Sequence, residues 1–106
     1  MTHEPGHAQR LTVLVPAHAH TQHHSVVTEL LSRARKAQLA GATVLEAFDA
    51  GGHPRARHVH SLRRDDAVLL VLIVDKPDKL ARFLEENQAL LEGVQVTLDD
   101  VTAYRA

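Results

Sequence analysis

Apolar positions along this chain repeat with two periods, and the switches between them mark six elements. Leu11-Thr-Val-Leu-Val15 is a short β-prone run, and Pro16, which has no N–H to give a ladder, stops it. Residues 17–24 read as a polar connector carrying His18, His20, His23 and His24. Ser25 suits a helix N-cap, since its hydroxyl can accept a first-turn amide. Behind it Val27, Leu30, Leu31, Ala34 and Gln38 fall at helical spacing, apolar except the last, while Glu29, Ser32, Arg33 and Lys36 face away. Gly41 fits the residue just past the helix end. Ala42 to Asp49 predicts a second strand, and a loop follows from about residue 50 to 61. Ala67 to Val74 is apolar at every position, which predicts a central strand covered on both faces. Pro77 opens a second helix with a buried stripe of Leu80, Phe83, Leu84, Asn87, Leu90 and Leu91, Asn87 being the polar exception, and Gly93 ends it. Val94, Val96 and Leu98 alternate with Gln95 and Thr97 as in a half-buried strand, and Asp99 to Ala106 either extends it or reaches a neighbour.

The order β-α-β-β-α-β is the ferredoxin-like plan, an α+β fold with a four-stranded antiparallel sheet. In that plan the first and third strands are central and both helices cover one face. Yet Val68 to Val74, and nearly so Leu11, Val13, Leu14 and Val15, offer aliphatic side chains to both faces. A bare aliphatic sheet face is adhesive, so a homo-oligomer is expected. At 106 residues one domain is the default. The expected organisation is a flexible tail over 1–10 and a single domain over 11–106.

Composition removes several function classes. Aromatics are 3%, so the core is built from Leu, Val and Ala, and the sheet lacks the stacking residues that nucleic-acid-binding sheets use. The net charge of −1 gives no field for nucleic acid, although protonating all nine histidines would carry it to +8. Absence of cysteine excludes disulfides and thiolate metal sites. Met1 to Arg10 is polar, and the longest apolar run, Ala67 to Val74, is too short to span a bilayer, so a cytoplasmic protein is expected. Catalysis has no visible carrier: there is no Gly-x-Ser-x-Gly elbow, Ser25 or Ser61 could in principle pair with a nearby histidine but adjacency in sequence says little about geometry, and Asp65-Asp66 and Asp99-Asp100 read as strand ends. No enzyme is expected.

Two groups of side chains carry candidate chemistry. Gly51 and Gly52 permit close backbone approach, and Arg55, Arg57, Arg63 and Arg64 supply planar forks suited to phosphate or carboxylate. The plainer alternative is a solvated loop whose arginines pair with Asp49, Asp65 or Asp66. Histidines 18, 20, 23 and 24, with the His58-x-His60 pair, have the chemistry that zinc, nickel or copper accepts. No His-Glu-x-x-His accompanies them, and a polar connector is the plainer reading.

Gln38-Leu-Ala-Gly-Ala-Thr-Val-Leu45, the glycine loop, and Val94-Gln-Val-Thr-Leu-Asp-Asp-Val101 together resemble the PII-like proteins, and within them the bacterial group known as domain of unknown function 190. The similarity covers about Leu11 to Thr102. It implies a ferredoxin-like protomer, a compact homotrimer, and a loop after the second strand that docks onto a transporter or channel. It also implies a small anionic effector, an adenine nucleotide first among the candidates, in clefts between subunits. On this chain the effector would meet Gly51, Gly52, Arg55, Arg57 and His58, with Lys76 and Lys79 from the start of the second helix. The alternative on the same fold is a trimeric metal-tolerance protein using His18, His20, His23 and His24. The chain also departs from the nitrogen-regulating members. Asp75-Lys76-Pro77-Asp78 replaces their glycine-rich, lysine-containing loop, and Tyr104, being terminal, is no counterpart of their tyrosine-bearing modification site; the loop after the second strand is also shorter than usual for the narrower group.

Overall fold

A computed structural model of the chain describes residues 6–21, 24–48 and 67–104. Its elements are β1 (Gly6–Pro16), α1 (Val26–Lys36), β2 (Thr43–Phe48), β3 (Ala67–Asp75), α2 (Pro77–Glu86) and β4 (Gln95–Ala103). The strands form one antiparallel sheet in the order β2-β3-β1-β4, which is the ferredoxin-like arrangement.

Side chains alternate across each strand, so the register decides what faces what. Leu11, Val13 and Val15 of β1 and Val71 and Ile73 of β3 are fully buried on one side. Onto them α1 packs Val26, Val27, Leu30 and Ala34, and α2 packs Leu80 and Phe83. Leu91, in the turns after α2, closes the same cluster. The helix starts follow local chemistry. Ser25 Oγ accepts the Thr28 amide at 3.1 Å, and Glu29 lies in the first turn of α1 with Arg33, Arg35 and Lys36 in its last, matching the helix dipole. Pro77 stands at the start of α2, where its missing N–H has no intrahelical partner to lose.

Several expectations need correction. The first strand begins at Gly6, so residues 6–10 of the expected tail are strand, while 1–5 lie outside the described residues. The signal there is polar pairing, which hydrophobic periodicity cannot register. Gln9 Nε2 donates to Asp100 Oδ1 at 3.2 Å, and Arg10 grips Asp99 with two bonds of 3.2 and 2.7 Å. Among the described residues the helices cover one face of β3: Val68, Leu70 and Leu72 are half-buried and Val74 is 37% exposed on the other. Arg33 does not simply face solvent. Its Nη1 donates to Asn87 Oδ1 at 3.0 Å, while buried Asn87 donates through Nδ2 to the Phe83 carbonyl at 2.7 Å. That pairing explains the polar exception in the stripe of α2, since a buried amide without partners is costly.

The end of α1 also differs. The left-handed position after the helix is Gln38, with φ 59°, three residues before Gly41. Gln38 N–H donates to the Arg35 carbonyl and Leu39 N–H to the Ala34 carbonyl, the paired bonds of a Schellman end. Leu39 packs against the core from that turn. Glutamine is strained there by roughly 1 kcal/mol or more. Glycine would relieve this against a loss of roughly 0.4–1 kcal/mol from greater freedom of the unfolded chain. Gln38→Gly is therefore expected to raise the melting temperature slightly, by one to a few degrees for about 0.5 kcal/mol. A lowered midpoint in a thermal melt would show that the side chain does something the backbone does not reveal.

Candidate functional site

A polar cluster joins the connector between α1 and β2 to the junction between β3 and α2. Asp75 closes β3 on its helix-facing side, with its side chain 9% exposed. Its Oδ2 accepts the Ala40 amide at 2.8 Å and its Oδ1 accepts the Lys76 amide at 2.7 Å. One turn into α2, Lys79 Nζ donates to the Gln38 carbonyl at 2.8 Å and stands 3.7 Å from Asp75 Oδ2. Burial pushes the Asp75 carboxyl up, but the two amides and the charges of Lys79 and Lys76 outweigh it and hold the group below the usual aspartate range. Asp75 is thus a carboxylate fixed as an acceptor, and Lys79 has a carbonyl and a carboxylate beside it.

Of the cations expected to meet an anionic effector, Lys76 is exposed at the N-cap of α2, where its side chain makes no cap bond. Lys79 is near it but engaged. Gly51, Gly52, Arg55, Arg57, Arg63, Arg64 and His58 lie outside the described residues. Two hollows flank the connector. One, of about 60 Å³, is lined by Leu39, Lys79, Arg82, Phe83 and Glu86 and is too small for a nucleotide. The other, of about 400 Å³, is lined by Leu31, Ala34, Leu39, Gly41 and Ala42, with Arg35 its cation. Neither combines nucleotide size with a set of phosphate donors.

Among the described residues, the histidines of the connector do not gather into a ligand set. His18, His20 and His24 are exposed, and the His20 ring Nδ1 bonds to the His18 carbonyl. Thr21 Oγ1 donates to the His24 carbonyl at 3.0 Å, turning the chain into α1. His23 lies outside the described residues, among which no three of His, Asp or Glu are grouped to hold a metal ion. Among them too, no helix is long and apolar enough to cross a membrane.

The remaining feature is the sheet face without helices. Leu45 of β2, Leu70 of β3 and Leu14 of β1 stand in one row across it, beside a row of Thr43, Leu72 and Thr12. Leu14, Leu70 and Leu72 are half-buried by their own neighbours, and Leu45 is 49% exposed. At one end the apolar rows give way to the Arg10–Asp99 pair.

Asp75 and Gln38 were missed by sequence reasoning. Asp75 had one usable signal, its i,i+4 spacing to Lys79; nothing in the sequence marks Gln38 as left-handed.

Comparison with known proteins places this geometry. The family model DUF190, described as an uncharacterized ACR, matches residues 8–103. The UPF0166 protein of Aquifex aeolicus (strain VF5) is 38% identical over 74 residues, covering 68% of this chain and 70% of that protein. Among solved structures, CPII from Thiomonas intermedia K12 bound to ADP, AMP and acetate aligns with a TM-score of 0.68 at 15% identity, over 96% of this chain and 93% of that one. A Thermus thermophilus protein described as PII-like aligns at 0.64 with 10% identity, over 97% of this chain and 93% of that one. At such identities the likeness establishes the fold, which is the PII-like form of the ferredoxin plan.

Proposed function

This chain belongs to the DUF190 family, and from that premise we propose that it is a non-enzymatic PII-like regulatory protein of the cytoplasm. It works as a homotrimer that receives a small anionic effector in the clefts between subunits. An adenine nucleotide is the first candidate, since CPII of the same fold has been solved with ADP and AMP. The observation that carries the reading is the sheet face of Leu14, Leu45, Leu70 and Leu72, left uncovered by both helices. Such a face favours sister chains, and joining them creates the seams in which charged groups from two protomers converge.

In this reading Lys76 and Lys79 meet the effector from the start of α2, and Gly51, Gly52, Arg55, Arg57 and His58 complete the site. Effector binding acts by favouring one arrangement of the residues after β2 over another, and it can shift that balance only by its difference in affinity for the two. The arrangement it favours then docks onto a partner, a membrane transporter or channel. The expected result of a thermal-shift screen with ATP, ADP and AMP is a raised melting temperature with at least one of them, removed by Arg55→Ala/Arg57→Ala. No shift with any of the three would leave the effector reading without support.

A further inference from the structure

We propose that Asp75 and Lys79 form a latch on the connector between α1 and β2, and that an anionic ligand drawing away the Lys79 ammonium releases it. The trigger rests on the effector reading above; the latch itself does not.

The connector is held from two directions. Its own backbone supplies three bonds: Gln38 N–H to the Arg35 carbonyl, Leu39 N–H to the Ala34 carbonyl and Gly41 N–H to the Leu39 carbonyl. The other two come from across the fold. Asp75 takes the Ala40 amide at 2.8 Å, and Lys79 caps the Gln38 carbonyl at 2.8 Å. These two clamp a short segment in which both Gln38 and Gly41 are left-handed, an arrangement glutamine adopts only when its surroundings enforce it. The segment leads at once into Thr43, the first residue of β2, which pairs with Leu72 of β3. The latch therefore fixes the root of β2 against the end of β3.

Lys79 is the exchangeable part. Its bond to Gln38 is to a neutral carbonyl, and its carboxylate neighbour is 3.7 Å away, so neither contact is a tight ion pair. A phosphate or carboxylate arriving beside exposed Lys76 offers a fully charged acceptor, which forms the shorter and stronger bond. Once Lys79 turns to it, the Gln38 carbonyl loses its donor. The incoming negative charge also stands near Asp75, whose hold on Ala40 then lacks the cation that steadies it. An anion bound at one end of the fold is thereby read out as loosening at the root of β2.

The test is amide hydrogen exchange followed residue by residue by NMR on the full chain, with binding measured by titration calorimetry. Lys79→Gln is expected to speed exchange at Ala40 by roughly tenfold or more, a local opening, while the core amides of Leu30 and Val71 keep their protection. Asp75→Asn, which preserves shape, is expected to give a similar local rise. Adding ADP or pyrophosphate to the unsubstituted protein is expected to speed Ala40 exchange likewise, with no further rise in Lys79→Gln. Unchanged exchange at Ala40 in Lys79→Gln overturns the latch. Measurable binding of either anion with Ala40 still protected overturns its release while sparing the effector reading. No binding heat with either overturns release by these anions, while the effector reading is decided by the screen with ATP, ADP and AMP and the latch by the Lys79→Gln result.

Discussion

A chain carrying Leu70→Glu and Leu72→Glu is expected to sediment as a single protomer of 11.7 kDa, and the unsubstituted protein is expected to sediment as a larger particle. Both leucines sit on the uncovered face of the central strand β3, opposite Leu14 and Thr12 of β1 on one side and Leu45 and Thr43 of β2 on the other. Each is half-buried by its own sheet neighbours, so much of its apolar surface remains to be covered. Completing the burial of a leucine is worth up to about 1.5–3 kcal/mol, and the gain recurs in every copy. A carboxylate in its place would have to leave water without a partner, which costs several times more than the leucine contributed. The helix-facing core contains neither residue, so the circular dichroism spectrum should stay that of a folded α+β protein. Sedimentation of the double variant at the mass of the unsubstituted protein would mean that this face is not the seam.

The second large effect belongs to the opposite face. Phe83→Ala is expected to cost about 3–5 kcal/mol, the range for a buried phenylalanine cut to alanine. Phe83 is 2% exposed and packs in one cluster with Leu11, Leu30, Ile73 and Leu80, all fully buried. Two of these are held on paired central strands and cannot close over the void. Phe83 also lends its carbonyl to Asn87, which in turn takes the Arg33 guanidinium, so a shift of this turn would disturb the bridge between the two helices. Small domains have about 5–15 kcal/mol in total, and the variant should therefore melt far below the parent or fail to fold. A urea midpoint corresponding to a loss under about 1 kcal/mol would contradict this packing.

Periodicity exposed the six elements and their order because each helix and the central strands bury a stripe. Val27, Leu30 and Ala34 could be assigned inward from their spacing alone, as could Leu80 and Phe83. Elements held by polar pairs escaped it. Residues 6–10 look like a tail until Asp99 and Asp100, some 90 positions on, are brought beside Arg10 and Gln9. Arg33 looks like solvent-facing charge until Asn87 is found across from it. The left-handed turn of Gln38 is closed by bonds to Arg35 and Ala34 and capped by a lysine from another helix, and that long-range contact leaves no local trace. Lys76 and Lys79 stand at the start of α2, as the sequence places them, but the carbonyl and carboxylate holding Lys79 were not legible, because they arrive from the connector and the end of β3.

If the aliphatic sheet face joins the protomers and the seams receive the anion, binding should require assembly. The decisive measurement is titration of ADP into the unsubstituted protein and into the Leu70→Glu/Leu72→Glu chain, side by side. The expected result is saturable binding heat in the assembled protein and its loss in the dissociated, still folded protomer. Equal affinity in both, or no heat in the assembled protein, would mean that the anion is not received at a seam between protomers.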